Sequence, residues 1–471
     1  MSMKQTLLII FVAILYQPVC SQIQLGQDIN GGNSGGLNGE RCGWSIDMSN
    51  DGQRMIIGSP YANANTSFGD LAKGEARVFE LINGSWSQVG NDIIGTSNEN
   101  YGFSVCMSGD GMSFAVGGPN DLNGIVKVYR DSSGILVQRG SSIFGNDIGW
   151  AVEMSDDGNT LVVSSPDHNN KGLVRVYRWK NSDWNQIGFD IIGTSGIRTG
   201  IGIGLSFDGN VLAVGTAVGA NDTGFVQTYS LLNDTITTLG NLIKSSYQSS
   251  NYFGYTISLG DAGNRLAIGD FISGYVSVYE FTNNHWSKIG TDITPSYSSV
   301  YFGWSIAISA FGNKIAIGSP LTTGNAYQSG RTEIYEWSFL TNDWVLQTAI
   351  NGQSAGDQSG WWVAISDTGN IVGIASPYYQ GGKGQVRVYD ISILEILEMK
   401  NNVAIYPNPT KNFIDVKLGS SFRYQTFNNA GQLILSGDSE GRIDFSNLSA
   451  GTYQLLIYTD SDIFSRTIEK L

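Results

Sequence analysis

Charge and histidine are what this sequence has least of. Charged residues make up 14% of the 471 residues, and there are only 2 histidines, 3 cysteines and 9 prolines. With few Lys and Arg and a formal net charge of −14, the chain lacks the clustered cations that nucleic acid or an anionic membrane surface requires. Few side chains titrate near neutral pH, which leaves little material for catalysis or metal binding. We therefore expect no nucleic-acid partner, no cofactor and no metal site.

Long apolar runs are also missing. The longest begins behind Lys4 and extends over residues 7–16, which is too short to span a bilayer. Small residues at Val19 and Ser21 complete the pattern of a signal peptide over residues 1–21, cleaved before Gln22. An alternative is a lipoprotein acylated at Cys20, although the residues before it fit a lipobox poorly. No later segment qualifies, so we expect no transmembrane segment.

Cys42 and Cys106 remain after cleavage. In the repeat described below they lie five positions apart on equivalent strands of neighbouring repeats. Five strand residues span about 16 Å, whereas a disulfide needs Cα atoms within about 7 Å. We expect two free thiols.

Glycine, by contrast, is abundant, with 61 copies, and an excess of glycine over charge is typical of a turn-rich, all-β protein. One phrase recurs seven times: a Gly followed by an aromatic residue, then Ser-x-x-Gly-Asn, then Leu-Ala-Ile-Gly-Ser-Pro. The repeats are 47 to 59 residues apart, the length of a four-stranded propeller blade. The phrase begins at Gly43, Gly102, Gly149, Gly200, Gly254, Gly303 and Gly360.

The first strand of each repeat alternates large and small residues. Positions 3 and 5 after the glycine are aliphatic or Met, and the opposite face is mostly small, as stacked blades require. Pairs such as Asp51-Gly52 then predict tight turns into a second strand. Position 1 is occupied by Trp44, Phe103, Trp150, Ile201, Tyr255, Trp304 and Trp361.

The last repeat lacks its fourth strand, which elsewhere reads Trp-x-Gln-Ile-Gly-x-Asp-Ile. The missing piece lies at the other end of the chain, where residues 24–29 match residues 88–93. We therefore predict that residues 23–30 pair with the strand ending at Tyr389 and close the ring, which removes an exposed sheet edge.

Several of these motifs resemble FG-GAP repeats. The resemblance rests on Phe103, on Tyr255 with Phe253, on Phe302-Gly303, and on Ile268-Gly269 and Ile317-Gly318-Ser319-Pro320, and it covers roughly residues 22–391. It implies the seven-bladed propeller of integrin α-subunits and of many bacterial surface proteins. Many such repeats bind calcium, but the loop between the first two strands is here too short to supply six or more oxygen ligands. We expect no calcium site.

The tail changes character after residues 392–402, which we interpret as a linker. Residues 403–471 contain Tyr406-Pro407-Asn408-Pro409, then Asn429-Ala430-Gly431-Gln432, then Leu448 to Tyr453 and a final strand. This order resembles the type A sorting domain of type IX secretion. The resemblance implies a small β-sandwich, recognition by the type IX machinery, and export to the cell surface or medium, usually with removal of the tail and anchoring to surface polysaccharide. A plain β-sandwich appendage is the alternative.

Candidate catalytic groups are few. His168 and His285 lie beside turn residues, and neither has a partner at the spacing of a metal site or a triad. Four aspartates recur at one position of the fourth strand, which indicates a structural hydrogen bond. They are Asp28, Asp92, Asp190 and Asp292.

The two faces of the predicted disc differ. One face carries uniform tight turns, whereas the loops after strands two and four are long, variable and rich in Tyr, Ser and Asn. We predict an all-β protein, a seven-bladed propeller closed by the N-terminal strand and followed by a β-sandwich. It is predicted to bind a protein or glycan through Tyr247, Tyr297 and Tyr378 without catalysis. The alternative is a hydrolase or lyase of surface polysaccharide.

Overall fold

The computed structural model describes most of the chain. The described residues are 22–32, 39–63, 72–96, 98–120, 123–218, 224–247, 252–260, 263–392, 404–417, 422–428, 433–458 and 463–471. The predicted signal peptide, nearly all of the predicted linker and parts of the loops after Asn63 and Tyr247 lie outside them. The chain forms two units, residues 1–392 and 393–471.

Each of the seven repeats forms one antiparallel sheet, and the prediction of seven blades is confirmed for the described residues. The strands, numbered in chain order, fall into the following groups. The N-terminal segment forms β1 (Ile23–Gln24) and β2 (Ile29–Asn30). Blade one contains β3 (Ser45–Met48), β4 (Arg54–Ser59), β5 (Glu75–Ile82) and β6 (Ser85–Ile94). Blade two contains β7 (Ser104–Met107), β8 (Ser113–Gly118), β9 (Gly124–Ser132), β10 (Ile135–Gln138) and β11 (Ile143–Gly145).

The middle blades follow the same order. Blade three contains β12 (Val152–Met154), β13 (Thr160–Ser165), β14 (Leu173–Lys180) and β15 (Asp183–Ile192). Blade four contains β16 (Ile197–Leu205), β17 (Val211–Val218), β18 (Phe225–Ser230) and β19 (Thr237–Lys244). Blade five contains β20 (Thr256–Leu259), β21 (Arg265–Asp270), β22 (Tyr275–Thr282) and β23 (His285–Lys288).

The last two blades complete the ring. Blade six contains β24 (Ser305–Ile308), β25 (Lys314–Ser319), β26 (Arg331–Ser338) and β27 (Asp343–Asn351). Blade seven contains β28 (Trp362–Ile365), β29 (Ile371–Ser376) and β30 (Gln385–Asp390). Helical structure in the described residues is limited to single turns at His168–Asn170, Leu232–Asp234 and Tyr379–Gly382.

The N-terminal segment closes the ring, as predicted. Ile23 and Gln24 of β1 pair with Asp390 and Tyr389, and β2 pairs Ile29 with Val386. The same segment also binds blade one, because the indole nitrogen of Trp86 donates to the Leu25 carbonyl oxygen at 2.9 Å. It therefore serves as the outer strand of blade seven and joins the last blade to the first.

Apolar cores lie between neighbouring blades. Ile46 and Met48 of blade one, for example, pack with Ala375 and Val388 of blade seven. Blades approach closely because the second strand carries a glycine at the contact. A Cβ on Gly318 would lie 2.1 Å from the Gly360 carbonyl oxygen of the next blade. This contact explains the glycine in the repeated Ile-Gly-Ser-Pro.

The second unit is a two-sheet sandwich. A three-stranded sheet contains β31 (Ala404–Tyr406), β32 (Phe413–Lys417) and β35 (Arg442–Asp444). A four-stranded sheet contains β33 (Phe422–Phe427), β34 (Leu433–Ser439), β36 (Gly451–Tyr458) and β37 (Ile463–Lys470). One core joins both sheets and includes Ile414, Ile443, Leu455 and Ile468.

Candidate functional site: the mouth of the central channel

Aromatic side chains at position 1 of the first strands form a continuous arc at the mouth of the central channel. Contacts between ring centroids of neighbouring blades range from 4.8 to 5.8 Å, from blade five through blade seven to blade three. Blade four contributes Ile201 instead, so the arc is open there. We call this set the aromatic arc; it consists of Trp44, Phe103, Trp150, Tyr255, Trp304 and Trp361.

The long loops add a second layer of rings. Tyr61 lies 5.5 Å from Trp44, and Tyr378 lies 5.3 Å from Trp361. Phe271 lies 4.9 Å from Trp304. All three follow the second strand of their blades, so the arc belongs to the face with the long loops. The rings of the arc are half-buried, which leaves part of each available to a ligand.

The loop that enters each first strand ends in a recurrent turn. In five blades the position 1 amide donates to the carbonyl oxygen three residues earlier, at 2.9 to 3.2 Å. That earlier residue, position −2, has a left-handed backbone in five blades. Its identity varies among arginine, asparagine, aspartate, tyrosine and glutamine, so the type of side chain beside the arc changes around the ring. Position −2 holds Arg41, Asn100, Asp147, Arg198, Tyr252, Tyr301 and Gln358.

Two arginines at position −2 lie over rings of the site. The guanidinium carbon of Arg41 lies 3.7 Å from the ring centroid of Tyr378, and that of Arg198 lies 5.1 Å from Trp150. Arg198 also forms an ion pair with Asp167 at 2.7 Å. Arg41 differs, because its Nη1 is buried without a hydrogen-bond partner in the part of the chain that the structure describes.

Below the arc, the channel contains a cavity of about 200 Å³. Its lining includes Tyr255 and Trp304 of the arc, and also Trp362 of blade seven. Trp362 occupies position 2, where the other blades carry small residues that are mostly buried, and it is 37% exposed. Blade seven therefore departs from the pattern of small residues at position 2, and an indole lies in the channel instead.

Two carboxyl groups line the same cavity at position 4 of blades one and three. Both oxygens of Asp47 accept backbone amides, from Met48 at 2.9 Å and from Met107 of the next blade at 2.7 Å. Ser258 accepts from Ile308 of its next blade in the same way. Position 4 thus satisfies amides on the free inner edge of the neighbouring first strand, as buried backbone groups require.

Burial shifts the pKa of both position 4 carboxyl groups. It raises the pKa of Asp47 to about 7, against the lowering effect of its two backbone hydrogen bonds. It raises the pKa of Glu153 well above its usual value, and the charge of Asp47 raises it further. Glu153 therefore holds its proton at neutral pH more readily than an exposed glutamate does. Position 4 lies three residues, about 10 Å, below the arc.

No ring contact joins the three predicted ligand-binding tyrosines to one another among the described residues. Tyr378 joins the second layer of the mouth and is half-buried. Tyr247 is 49% exposed, but its ring contacts Tyr275 at 4.8 Å and its hydroxyl donates to Asp292. Tyr297 is 60% exposed, and no ring contact to it is found among the described residues.

Other predictions about single residues have clear outcomes. Cys42 and Cys106 are free and buried, which confirms two free thiols, and burial raises the pKa of both. The recurrent aspartates make the predicted structural hydrogen bonds. In three blades a glutamine four residues earlier donates to the aspartate, at 2.7 to 2.8 Å, and in blade five Lys288 takes its place. His285 is exposed and His168 is half-buried.

The sorting motif is held against the last strand. The Asn408 side chain donates to the Thr467 carbonyl oxygen at 2.8 Å and accepts the Glu469 amide at 2.9 Å. Thr410 continues this pairing through its own amide, which donates to the carbonyl oxygen of Glu469. Tyr406 through Pro409 are exposed, so the motif is both anchored and accessible.

Comparison with known proteins agrees with this description. Residues 404–470 match the family described as the secretion system C-terminal sorting domain. This match indicates export by the type IX system to the cell surface or extracellular space, and it implies contact with that machinery. No curated protein matches the chain.

Solved structures match the propeller. Hydrazine synthase of Kuenenia stuttgartiensis aligns with a TM-score of 0.51 at 13% identity, covering 78% of this chain and 99% of that one. A chain of the mitotic checkpoint complex aligns with a TM-score of 0.52 at 15% identity, covering 83% and 98%. At such identities the likeness establishes the propeller fold and nothing about function.

Two further observations concern metals and membranes. Within the described ranges, no three His, Cys, Asp or Glu side chains are grouped so that they could hold a metal ion. In the same residues, none of the helices has the length and apolarity needed to cross a bilayer.

Proposed function

We propose that this protein is a secreted or cell-surface binding protein that holds a protein or glycan at the aromatic arc without catalysis. The observation that carries the proposal is the arc itself, in which six half-buried aromatic rings surround one opening. Aromatic faces bind sugar rings and apolar side chains with little loss of conformational entropy. The type IX tail supports a role outside the cell. The resemblance to FG-GAP repeats supports the same face, because integrin-type propellers meet their ligands there.

Adhesion tests this proposal. Tyr378→Ala should weaken attachment of expressing cells to host or biofilm surfaces. Attachment by the Tyr247→Ala and Tyr297→Ala variants shows whether the rest of the loop face contributes as well as the mouth. Phe311→Ala is the matched control, because Phe311 is 45% exposed but follows the first strand, on the face with tight turns. Equal attachment by the Tyr378 and Phe311 variants and the parent would remove the case for the mouth.

A second candidate function is a hydrolase or lyase of surface polysaccharide. The channel carboxyl groups Asp47 and Glu153 favour it, because their raised pKa values are suited to acid–base catalysis. Against it, both Asp47 oxygens already bind backbone amides, and the cavity of about 200 Å³ admits one small ring rather than a polymer. Polysaccharide turnover by the purified chain that disappears in Glu153→Gln would establish the enzyme.

A further inference from the structure

The ligand of the aromatic arc can be specified further from the side chain of Arg41. Its backbone is held on both sides: the Arg41 amide donates to the Gly382 carbonyl oxygen at 2.8 Å, and its carbonyl oxygen accepts the Trp44 amide. The guanidinium then lies on Tyr378, whose ring contacts Trp361. A cation is thus placed at the edge of the arc, between blades one and seven.

The backbone conformation of this turn does not itself call for arginine. Arg41 has φ of 58°, a left-handed conformation that glycine and asparagine adopt at lower cost. At position −2, blade two uses Asn100 with a similar φ of 48°. Tyr301 and Gln358 adopt the same conformation at this position, so the turn accepts several side chains and does not itself require arginine.

The hydrogen bonds of Arg41 are incomplete, and Arg139 provides a contrast. Arg139 also lies over an aromatic ring, with its guanidinium carbon 4.3 Å from the centroid of Trp179. Its two terminal nitrogens, however, donate to Gly158 and Asn159. Among the described residues, Arg41 Nη1 has no partner, and neither does the buried Asn100 Oδ1 on the next blade. A donor and an acceptor are therefore left unpaired at the same repeat position of neighbouring blades.

We propose that the ligand at the aromatic arc is a glycan with an anionic group, a carboxylate or a sulfate, and that Arg41 binds this group. The inference rests on the proposed function, because it assigns the chemistry of a ligand at the same site. A planar guanidinium binds carboxylate or sulfate oxygens through paired N–H donors. The adjoining rings supply the apolar face on which a sugar stacks. With a net charge of −14, general attraction of anions is unfavourable, so binding depends on this local cation.

Binding of defined polymers to the full chain tests the inference. The probes are polygalacturonate, which carries carboxylates, dextran sulfate, which carries sulfates, and neutral dextran. The variant is Arg41→Gln, because Gln358 occupies the same position of blade seven with φ of 54°, so the turn should persist. Arg139→Gln is the matched control, since it removes a guanidinium from an aromatic ring away from the mouth.

We expect the chain to bind at least one anionic polymer and to prefer it to dextran. Arg41→Gln should weaken this binding at least tenfold, Arg41→Lys should restore part of it, and Arg139→Gln should leave it unchanged. Unaltered binding by Arg41→Gln, or no binding of either anionic polymer by the parent chain, overturns the inference. Dextran binding that is lost in Tyr378→Ala but kept in Arg41→Gln also overturns it while supporting the proposed function. If Tyr378→Ala leaves the binding of every bound polymer unchanged, both the inference and the proposed function fail.

Discussion

At the scale of single residues, glycine decides how closely the blades approach. Gly318→Ala should destabilise the propeller by about 1–3 kcal/mol, the usual cost of overpacking, because the new methyl group would lie 2.1 Å from a backbone oxygen. The midpoint of chemical unfolding measures the effect.

Gly260→Ala is the control for this substitution. Neither glycine has a left-handed φ, and the nearest atom to a Cβ on Gly260 is 3.2 Å away, so the added methyl group meets a looser contact there. Equal midpoints for the two variants would show that the close approach of blades six and seven does not determine the stability of the propeller.

Asp47 should make stability depend on pH. Burial raises its pKa to about 7 in the folded protein, whereas the unfolded value is near 3.9. The folded state thus binds this proton more tightly, and the stabilisation is complete below about pH 4 and lost as pH rises to about 7. Between pH 5 and pH 8 the melting temperature should therefore fall more in the parent chain than in Asp47→Asn. Parallel curves would contradict this assignment.

Residues of the channel and the mouth were the hardest to predict from the sequence. Position 1 is aromatic in six of the seven repeats, but repetition alone indicates packing, and the arc forms only because the blades close into a ring. Asp47, Glu153 and Trp362 differ from the small residues that most repeats carry at their positions. A repeat pattern is defined by the residues that recur, so these three residues do not contribute to it. These exceptions indicate the channel lining, because each places a carboxylate or an indole on a face where the other side chains are small.

At the scale of elements, the N-terminal segment supplies the outer strand of blade seven and can be deleted without cutting another blade. A chain beginning at residue 31 should leave the edge of β30 unpaired and lose the burial of Ile29, which contributes roughly 1.5–3 kcal/mol before the entropy of ordering is subtracted. We expect a lower melting temperature and self-association through the open edge.

A peptide of residues 22–32 added in trans should reverse both effects, and a scrambled peptide of the same composition should not. A truncated chain that melts like the parent and stays monomeric would show that the seam between blades seven and one holds without this strand.

The pairing of this segment was predictable because residues 24–29 repeat the fourth strand of blade one. The turn at position −2 was not, because its residues share a backbone conformation rather than an identity. Arg41, Tyr301 and Gln358 adopt the left-handed conformation that asparagine usually signals. In all three the carbonyl oxygen accepts the position 1 amide, and such a bond is visible only in the folded turn.

At the scale of the whole molecule, the two units should be separable in function. Removing residues 403–471 takes away the sorting domain and leaves all seven blades and their closing strand intact. We expect a folded propeller with an unchanged melting transition that accumulates in the periplasm. Cell fractionation measures its location, and surface exposure of the truncated chain would show that the tail is not the export signal.

A single substitution also tests whether the tail directs export, without deleting the domain. Asn408 joins the sorting motif to β37 through two hydrogen bonds to the backbone, at 2.8 and 2.9 Å. Asn408→Ala breaks both and leaves exposed motif residues poorly positioned for the machinery, so the surface fraction should fall severalfold. Asn412→Ala is the control, because the Phe445 amide donates to the Asn412 carbonyl oxygen, a backbone contact that the substitution leaves in place. If the two variants reach the surface equally well, the anchoring of the motif to the last strand does not matter for export.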